Sequence, residues 1–414
     1  MSKNKLESAD SSTDSPRPVC ILALCDSPTV GTGFGRVAAN LLSRWAATGA
    51  TVHCWGINFE GWNYDKSPVK LFPGGSQGWN LPRKLTEFLN LLASGNYTHV
   101  WLMNDADALS VGKFPAELKR VCREKNIRSM FYYPVDAPME RDWLAVLDAV
   151  DVAATYTRYG RDETRKALGK SLYPIEVIPH GIDTVFHPIA VEDRAQYRKF
   201  EIQMPDGKKV DFVQPDDFLI VNVNKNEWRK DPLRSLEILK GLRALGVPAK
   251  LVLRMAPYSA MGGVHLELTA RQMGLTYGKE WCHIGEIPDV DLCGLYNAAN
   301  LYLTTTLGEG WGLGVTEAMA CHCPVAMPNH TSLTEIGAML STPLWLPLED
   351  GFVCGADTRL RRRVDLGRAV PLIAEQWHKG GHWRWSPDQK AVDTLLNWDV
   401  IAKRMLGLLL GGAK

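Results

Sequence analysis

Between Thr306 and Gly337 the chain reads TLGEGWGLGVTEAMACHCPVAMPNHTSLTEIG, and Glu309 and Glu317 stand eight positions apart among glycines at 308, 310, 312 and 314. The preceding NLYLTTT has the apolar, β-branched character of a buried strand, and a helix is expected to open near Val315 with Glu317 in its first turn. Glycines let bare backbone N–H groups approach an anion, and the helix N-terminus adds partial positive charge. Glutamate is a poor choice for a phosphate cradle, so these two carboxylates are expected to serve another part of the ligand. Carboxylates accept paired hydrogen bonds from vicinal hydroxyls, which a sugar and a ribose both offer. A lone glutamate here would merely favour a helix start. Four glycines and a second glutamate point to a ligand instead.

Other residues compete for a chemical role. Gly31-Thr32-Gly33-Phe34-Gly35-Arg36 joins the first strand to the first helix, a ligand loop at the edge of a parallel sheet or simply a tight strand–helix turn. Asp136, in FYYPVDAP, falls at a strand end facing the same cleft; it binds a sugar hydroxyl, acts as a base, or caps the next helix. Asn104-Asp105-Ala106-Asp107 imitates a metal-binding aspartate pair but lacks a third ligand. Cys321-His322-Cys323 lacks a second ligand pair at zinc spacing. No metal is therefore expected. His180, in IPHGID, is expected to be structural at a domain junction, with reach into the cleft as the alternative. Arg359, Arg361, Arg362, Arg363 and Arg368 form a basic cluster that would suit a phosphate backbone, or else a solvated edge beside Asp357 and Asp365. Lys119, Arg120, Arg123, Lys125 and Arg128 lack interleaved aromatics and fit a solvated helix face better than an RNA patch.

The elements that must position these groups alternate strand and helix almost throughout. Val19–Cys25, Val52–Gly56, His99–Met103, Arg128–Val135, Asp151–Tyr156 and Glu176–Pro179 are expected strands, with amphipathic segments between them, such as Phe34–Trp45 and Glu140–Val150. A polar interval follows, and the alternation restarts at Phe218–Asn224, continuing through Lys250–Met255, Asn300–Thr306, Cys323–Met327 and Pro343–Leu346. The expectation is an α/β chain with two Rossmann-like parallel-sheet domains facing a cleft: residues 17–190, a linker at 191–216, and 217–396. Residues 397–414 form a last helix with an apolar stripe of Val400, Ile401, Met405, Leu408 and Leu409. Residues 1–16, polar and charged, are expected to be disordered.

The 414 residues suit two or three domains of ~100–200 residues each. Hydrophobic residues make up 45% and charged residues 22%, and the formal net charge is +1, less basic than a dedicated nucleic-acid binder. Nine cysteines, an odd number, and an N-terminus without an apolar signal point to free thiols in the cytoplasm. No run approaches the ~18 apolar residues of a membrane span.

Four stretches together resemble one family. Glu309 with Glu317 and the following AMACHCPVAMP is similar to the donor-site signature of family-four glycosyltransferases of the GT-B fold. IPHGIDTVFHP (178–188), DVDLCGLYNAANLYLTT (289–305) and NWDVIAKRM (397–405) resemble the family's interdomain sequence, its approach to the donor loop, and the helix that crosses back to the N-terminal domain. The resemblance covers nearly the whole chain after the tail.

It implies transfer of a sugar from a nucleotide-diphosphate sugar, such as a UDP-sugar, to an acceptor hydroxyl, with retention of configuration and without a metal. Glu309 would hold the sugar and Glu317 the ribose. Metal-independent relatives place an Arg and a Lys after the first strand of the second domain. Lys225 and Lys230 in NVNKNEWRKDP match that pair, with Arg229 adjacent; lysine at 225 keeps the charge but not the planar fork. Gly33, Arg254, Ile284, Gly310, Trp311, Gly312 and Leu313 would complete the donor site, and Thr32, Phe34 and Arg36 would meet the acceptor. Arg254 fits an ordinary surface partner equally well. Asp136 stands where many relatives carry a histidine against the transferred sugar.

The acceptor is expected to be a saccharide, a lipid or a small molecule. The alternative is a phage-type transferase acting on hydroxymethylated DNA bases. Readings of another class are a sugar-nucleotide epimerase or hydrolase, and a non-catalytic binder. Nothing in the sequence sets the oligomeric state.

Overall fold

Runs of apolar residues buried on both faces form two parallel sheets whose strands end toward each other. The computed structural model describes residues 18–62, 67–76, 81–199, 201–204, 206–259, 262–340, 343–379 and 389–412. The segment 1–16, expected to be disordered, lies outside them.

The first sheet contains β1 (Cys20–Asp26), β2 (Thr51–Ile57), β3 (Lys70–Pro73), β4 (His99–Met103), β5 (Arg128–Tyr133), β6 (Val152–Thr155) and β7 (Glu176–Val177). Their order is β3-β2-β1-β4-β5-β6-β7, all parallel, with Ile21 beside both Val52 and His99. β5 stops at Tyr133 rather than Val135, because Pro134 has no N–H to continue the ladder. The expected helix at 140–150 is a tighter 3₁₀ helix, Arg141–Ala149.

The polar interval after the first sheet holds a helix, Val191–Arg198, and a hairpin of β8 (Glu201–Gln203) and β9 (Lys209–Asp211). It packs on the second domain. Tyr197 fills the space left by Gly294, where a Cβ would lie 2.1 Å from its ring. Arg198 donates to Ala298 O and Asn300 Oδ1, each at 3.0 Å.

The second sheet contains β10 (Phe218–Val223), β11 (Ala249–Arg254), β12 (Trp281–Ile284), β13 (Leu301–Leu303), β14 (Val325–Pro328) and β15 (Leu344–Leu346), ordered β12-β11-β10-β13-β14-β15 and parallel throughout. Each sheet reverses its winding direction once, between β1 and β4 and between β10 and β13, the positions where ligand crevices open in such folds. A short antiparallel hairpin, β16 (Phe352–Val353) and β17 (Leu360–Arg361), follows the second sheet.

One apolar cluster runs unbroken through both domains, from Ile21, Trp45 and Trp101 by way of Ile178, Trp311 and Trp398 to Val221 and Met319. The outer faces of the two sheets carry separate clusters. The last helix, Trp398–Leu410, returns to the first domain. Trp45 Nε1 donates to Ala402 O at 3.0 Å, and Arg44 Nε meets Asp399 at 2.6 Å. Its buried rows are Ile401–Met405–Leu409 and Ala402–Leu406, spaced four apart as a helix requires. Val400, expected in the stripe, turns outward and is 52% exposed. Among the described residues no helix is long and apolar enough to cross a membrane.

Candidate active site

The loop after β13 is built by its threonines and glycines. Thr306 Oγ1 donates to Gly308 O at 3.0 Å, and Leu307 N donates to Arg229 O at 2.7 Å, which ties the loop to the turn after β10. Ser332 Oγ anchors Glu309 O at 2.5 Å, and Thr331 Oγ1 accepts from Glu309 N at 3.2 Å. The glycines mainly admit other chain segments. A Cβ at Gly308 would stand 2.0 Å from Asp136 O, and one at Gly310 would stand 2.5 Å from Pro134 Cβ. Gly312, at φ +104°, starts the helix Leu313–Ala320. That helix opens two residues earlier than expected, so Glu317 lies in its second turn rather than its first.

Lys230 and Glu309 meet between the turn after β10 and the loop after β13. Lys230 Nζ reaches Oε1 at 2.6 Å and Oε2 at 2.8 Å; Arg229 Nη1 lies 3.4 Å from Oε2 and donates to Gly308 O at 2.6 Å. Burial raises the Glu309 pKa, but the charges of Lys230 and Arg229 outweigh it and hold the carboxyl below its ordinary value. Both cations sit on a single 3₁₀ turn, Trp228–Lys230. Asp231 closes that turn at φ +46° and caps the helix Pro232–Ala244, and Arg363 grips its carboxylate at 2.5 and 2.8 Å.

Glu317 is shared between domains. Arg36 Nη1 reaches it at 3.1 Å from the first domain, and Tyr296 OH donates to it at 3.0 Å. Arg36 also binds Asp289 at 2.6 Å and Asp183 at 3.5 Å. The structure thus places Arg36, expected beside the acceptor, against the carboxylate expected to hold the ribose.

Residues 206–350 match the family described as Glycosyl transferases group 1. A stretch of 54 residues is 44% identical to the O-antigen chain mannosyltransferase B of Escherichia coli, covering 13% of this chain and 14% of that protein's length. The fold of the whole chain is similar to that of a sucrose-phosphate synthase from Thermosynechococcus elongatus (TM-score 0.71, 17% identity, 95% of this chain and 98% of that one). It is also similar to Anabaena HepE, solved in complex with UDP and glucose (TM-score 0.58, 14% identity, 94% and 95%). The architecture is GT-B.

Around this matched segment, the other predicted residues are unevenly placed. Lys225 stands apart from Glu309: its side chain is 58% exposed, 3.4 Å from Glu227, and within electrostatic reach of Asp26 on the opposite lip. Thr32 caps the first helix through Gly35 N at 2.9 Å, and its hydroxyl donates to Asp26. Phe34 is half-buried. A Cβ on Gly33 would touch Leu313 at 3.7 Å, so the first-domain loop faces the glycine-rich loop after β13 directly. Arg254 and Ile284 stand side by side in register at the ends of β11 and β12. Trp311 is buried, its ring 5.5 Å from that of His180.

Asp136 caps no helix. Arg229 Nε, Arg359 Nη1 and Arg361 Nη2 reach its carboxylate at 3.2, 3.2 and 3.1 Å, and Arg361 Nη1 donates to its carbonyl at 2.6 Å. Burial opposes its charge, yet Arg229, Arg361 and Arg359 prevail and keep its pKa below the ordinary carboxylate value, unsuited to a base. The hairpin β16–β17, just past the matched group 1 segment, delivers two of these arginines. This corrects the reading of Arg359 to Arg368 as an open cationic track. The Arg361 side chain is 1% exposed, Arg359 also binds Asp107 at 2.8 Å and lies 4.6 Å over Trp143, and Arg363 and Arg368 hold Asp231 and Asp365. Sequence reasoning missed these two arginines as site residues. The available signal was an aspartate at 136, near the point where the resemblance implies histidine in many relatives, which needed cations from elsewhere in the chain. Replacing Asp136 by asparagine is expected to lower stability by about 2 kcal/mol, because each arginine keeps one other acidic partner. Urea unfolding measures it.

His180 is packed among the rings of Tyr132, Tyr156, Trp311 and Trp398, with neither nitrogen hydrogen-bonded. Burial pushes its pKa down to about 3. Cys321 faces Cys293 at 3.8 Å, and among the described residues no three His, Cys, Asp or Glu side chains gather as metal ligands.

Proposed function

We propose that the chain moves a sugar from a nucleotide-diphosphate sugar, a UDP-sugar among the candidates, to an acceptor hydroxyl with retention of configuration. The acceptor is a saccharide, a lipid or a small molecule. The observation that carries this reading is the Lys230–Glu309 pair at 2.6 Å, flanked by Arg229, on the loop where the second sheet faces the first domain. The pair holds two opposite charges that a donor can separate usefully. The diphosphate takes Lys230 and Arg229, with Lys225 approaching from the lip, and Glu309 is released to the sugar hydroxyls. Glu317 exchanges Arg36 for the ribose hydroxyls.

These fixed cations supply charge where the leaving group becomes negative, the role that otherwise falls to a metal. As the bond from the anomeric carbon to the diphosphate breaks, the acceptor oxygen bonds to the same face of that carbon. Its proton passes to the departing phosphate oxygen. A reaction of this kind needs no protein base, in keeping with the low pKa of Asp136. Nothing in the placement of the arginines favours the DNA-directed alternative.

Calorimetry with nucleoside diphosphates, followed by transfer from a panel of labelled nucleotide sugars, tests the reading. Changing Lys225 and Lys230 together to alanine is expected to weaken diphosphate binding by about 10–100-fold, at about 1.5–3 kcal/mol for charged hydrogen bonds. Unchanged binding in that variant overturns the cationic assignment.

A further inference from the structure

The first sheet reverses direction between β1 and β4, and the lips of the crevice there are the end of β1 and the loop Asn104–Asp107. Asp26, on one lip, is already used: the hydroxyl of Thr32 and the amide of Asn58, at 3.2 Å, donate to it. Asp107 and Asp136 are taken by arginines. Asp105 differs. Its backbone N–H bonds Asn104 Oδ1 at 2.8 Å, and it precedes the short helix Ala106–Leu109 without a side-chain cap bond. No hydrogen bond or ion pair reaches its carboxylate among the described residues.

Tyr156, one residue beyond β6, is 2% exposed, and its hydroxyl has no partner either. β4, β5 and β6 lie side by side and parallel, so Asp105 and Tyr156 both follow strand ends on the crevice edge of the sheet, and the carboxylates of Asp105 and Asp26, after burial, push the phenol's ionisation well up. Leaving the buried Tyr156 hydroxyl unpaired costs about 1–3 kcal/mol, and a partner that reached it could also take the free, half-buried carboxylate of Asp105.

We propose that Asp105 and Tyr156 form the acceptor subsite and take a neutral polyol, Asp105 accepting from an acceptor hydroxyl and Tyr156 donating to the same or the adjacent oxygen. An alcohol both donates and accepts, which matches an acceptor-only carboxylate beside a phenol. Anionic acceptors are disfavoured by Asp26, Asp105, Asp107 and Asp136, since the nearby Arg359 and Arg361 already carry carboxylates. This inference rests on the transferase reading and adds the acceptor class and the residues that hold it.

The test uses the full chain with a donor it accepts. It is offered methyl hexosides, the same hexosides bearing an octyl chain, and hexose 6-phosphates. Acceptor-independent hydrolysis of the donor is followed in parallel. Asp105→Asn and Tyr156→Phe are each expected to raise the acceptor KM by about tenfold or more while leaving donor KM and donor hydrolysis within about twofold. Tyr156→Phe keeps the ring and its packing, so it reports on the hydroxyl alone. Better transfer to octyl than to methyl hexosides identifies a lipid-borne polyol, and equal transfer identifies a free saccharide. Three results overturn the subsite: an unchanged acceptor KM in both variants, an equal rise in donor KM, or a preference for the phosphates. Absence of donor binding and hydrolysis in the unaltered chain overturns the transferase reading, and the subsite with it.

Discussion

Replacing Lys230 by methionine is expected to cost about 3 kcal/mol of stability, at the lower end of what breaking a buried ion pair costs. The carboxylate of Glu309 is buried and takes both of its short contacts from Lys230, at 2.6 and 2.8 Å. Methionine fills much of the volume but leaves the charge with Arg229, at 3.4 Å, and the hydroxyl of Thr306. Glu309 then loses the larger of the two cationic influences that hold its pKa down. Changing Glu309 to leucine in the same chain is expected to recover a large part of the loss, because two apolar groups replace a half-pair. Urea unfolding of the single and double variants measures both terms. A single variant as stable as the unaltered chain would mean that the charges are not coupled as described.

The second large effect is on acid stability. His180 has a folded pKa of about 3 against about 6.5 for an exposed histidine. Between those values the unfolded chain binds a proton that the folded chain refuses, so stability falls as the pH drops from about 6.5 toward 3. The full difference corresponds to an upper bound of about 5 kcal/mol. Asp105 works the other way. Burial, followed by Asp136 and Asp107, raises its pKa to about 6, so between the ordinary carboxylate value and pH 6 its protonation in the folded chain offsets part of the loss. His180→Phe keeps an aromatic ring among Tyr132, Tyr156, Trp311 and Trp398 and removes the titration. Its stability is expected to be flatter between pH 6.5 and 4 than that of the unaltered chain, in urea unfolding at a series of pH values. Parallel profiles would show that His180 does not carry the acid sensitivity.

The fold was legible because its signal is local. Strands buried on both faces, such as Phe218–Val223, leave nearly continuous apolar runs, and the helix Trp398–Leu410 carries its own apolar rows. The two glutamates were legible because an unusual residue type recurs in a glycine-rich loop at fixed spacing. What the sequence concealed is long-range pairing. Arg361 lies 225 positions from Asp136, and Arg36 lies 281 positions from Glu317, so nothing in either neighbourhood announces the partner. An exposed arginine run and a buried ionic cluster have the same composition. Only the placement of β16–β17 against the first domain separates them. The same holds for Lys225, whose spacing from Lys230 was readable while its outward direction was not.

The chain passes between the domains twice at one place. Ile182, on the outward passage, donates its N–H to Leu396 O at 2.8 Å and forms a bridge with Asn397 on the return. Trp398 follows at once and closes over Gly181, where a Cβ would stand 2.6 Å from its ring. Two backbones pinned together act as an axle. Any rotation of one half against the other would pivot there, with displacement growing with distance from the axle. Trp311 packs against the ring of His180 beside it, so the glycine-rich loop would lie on the short arm.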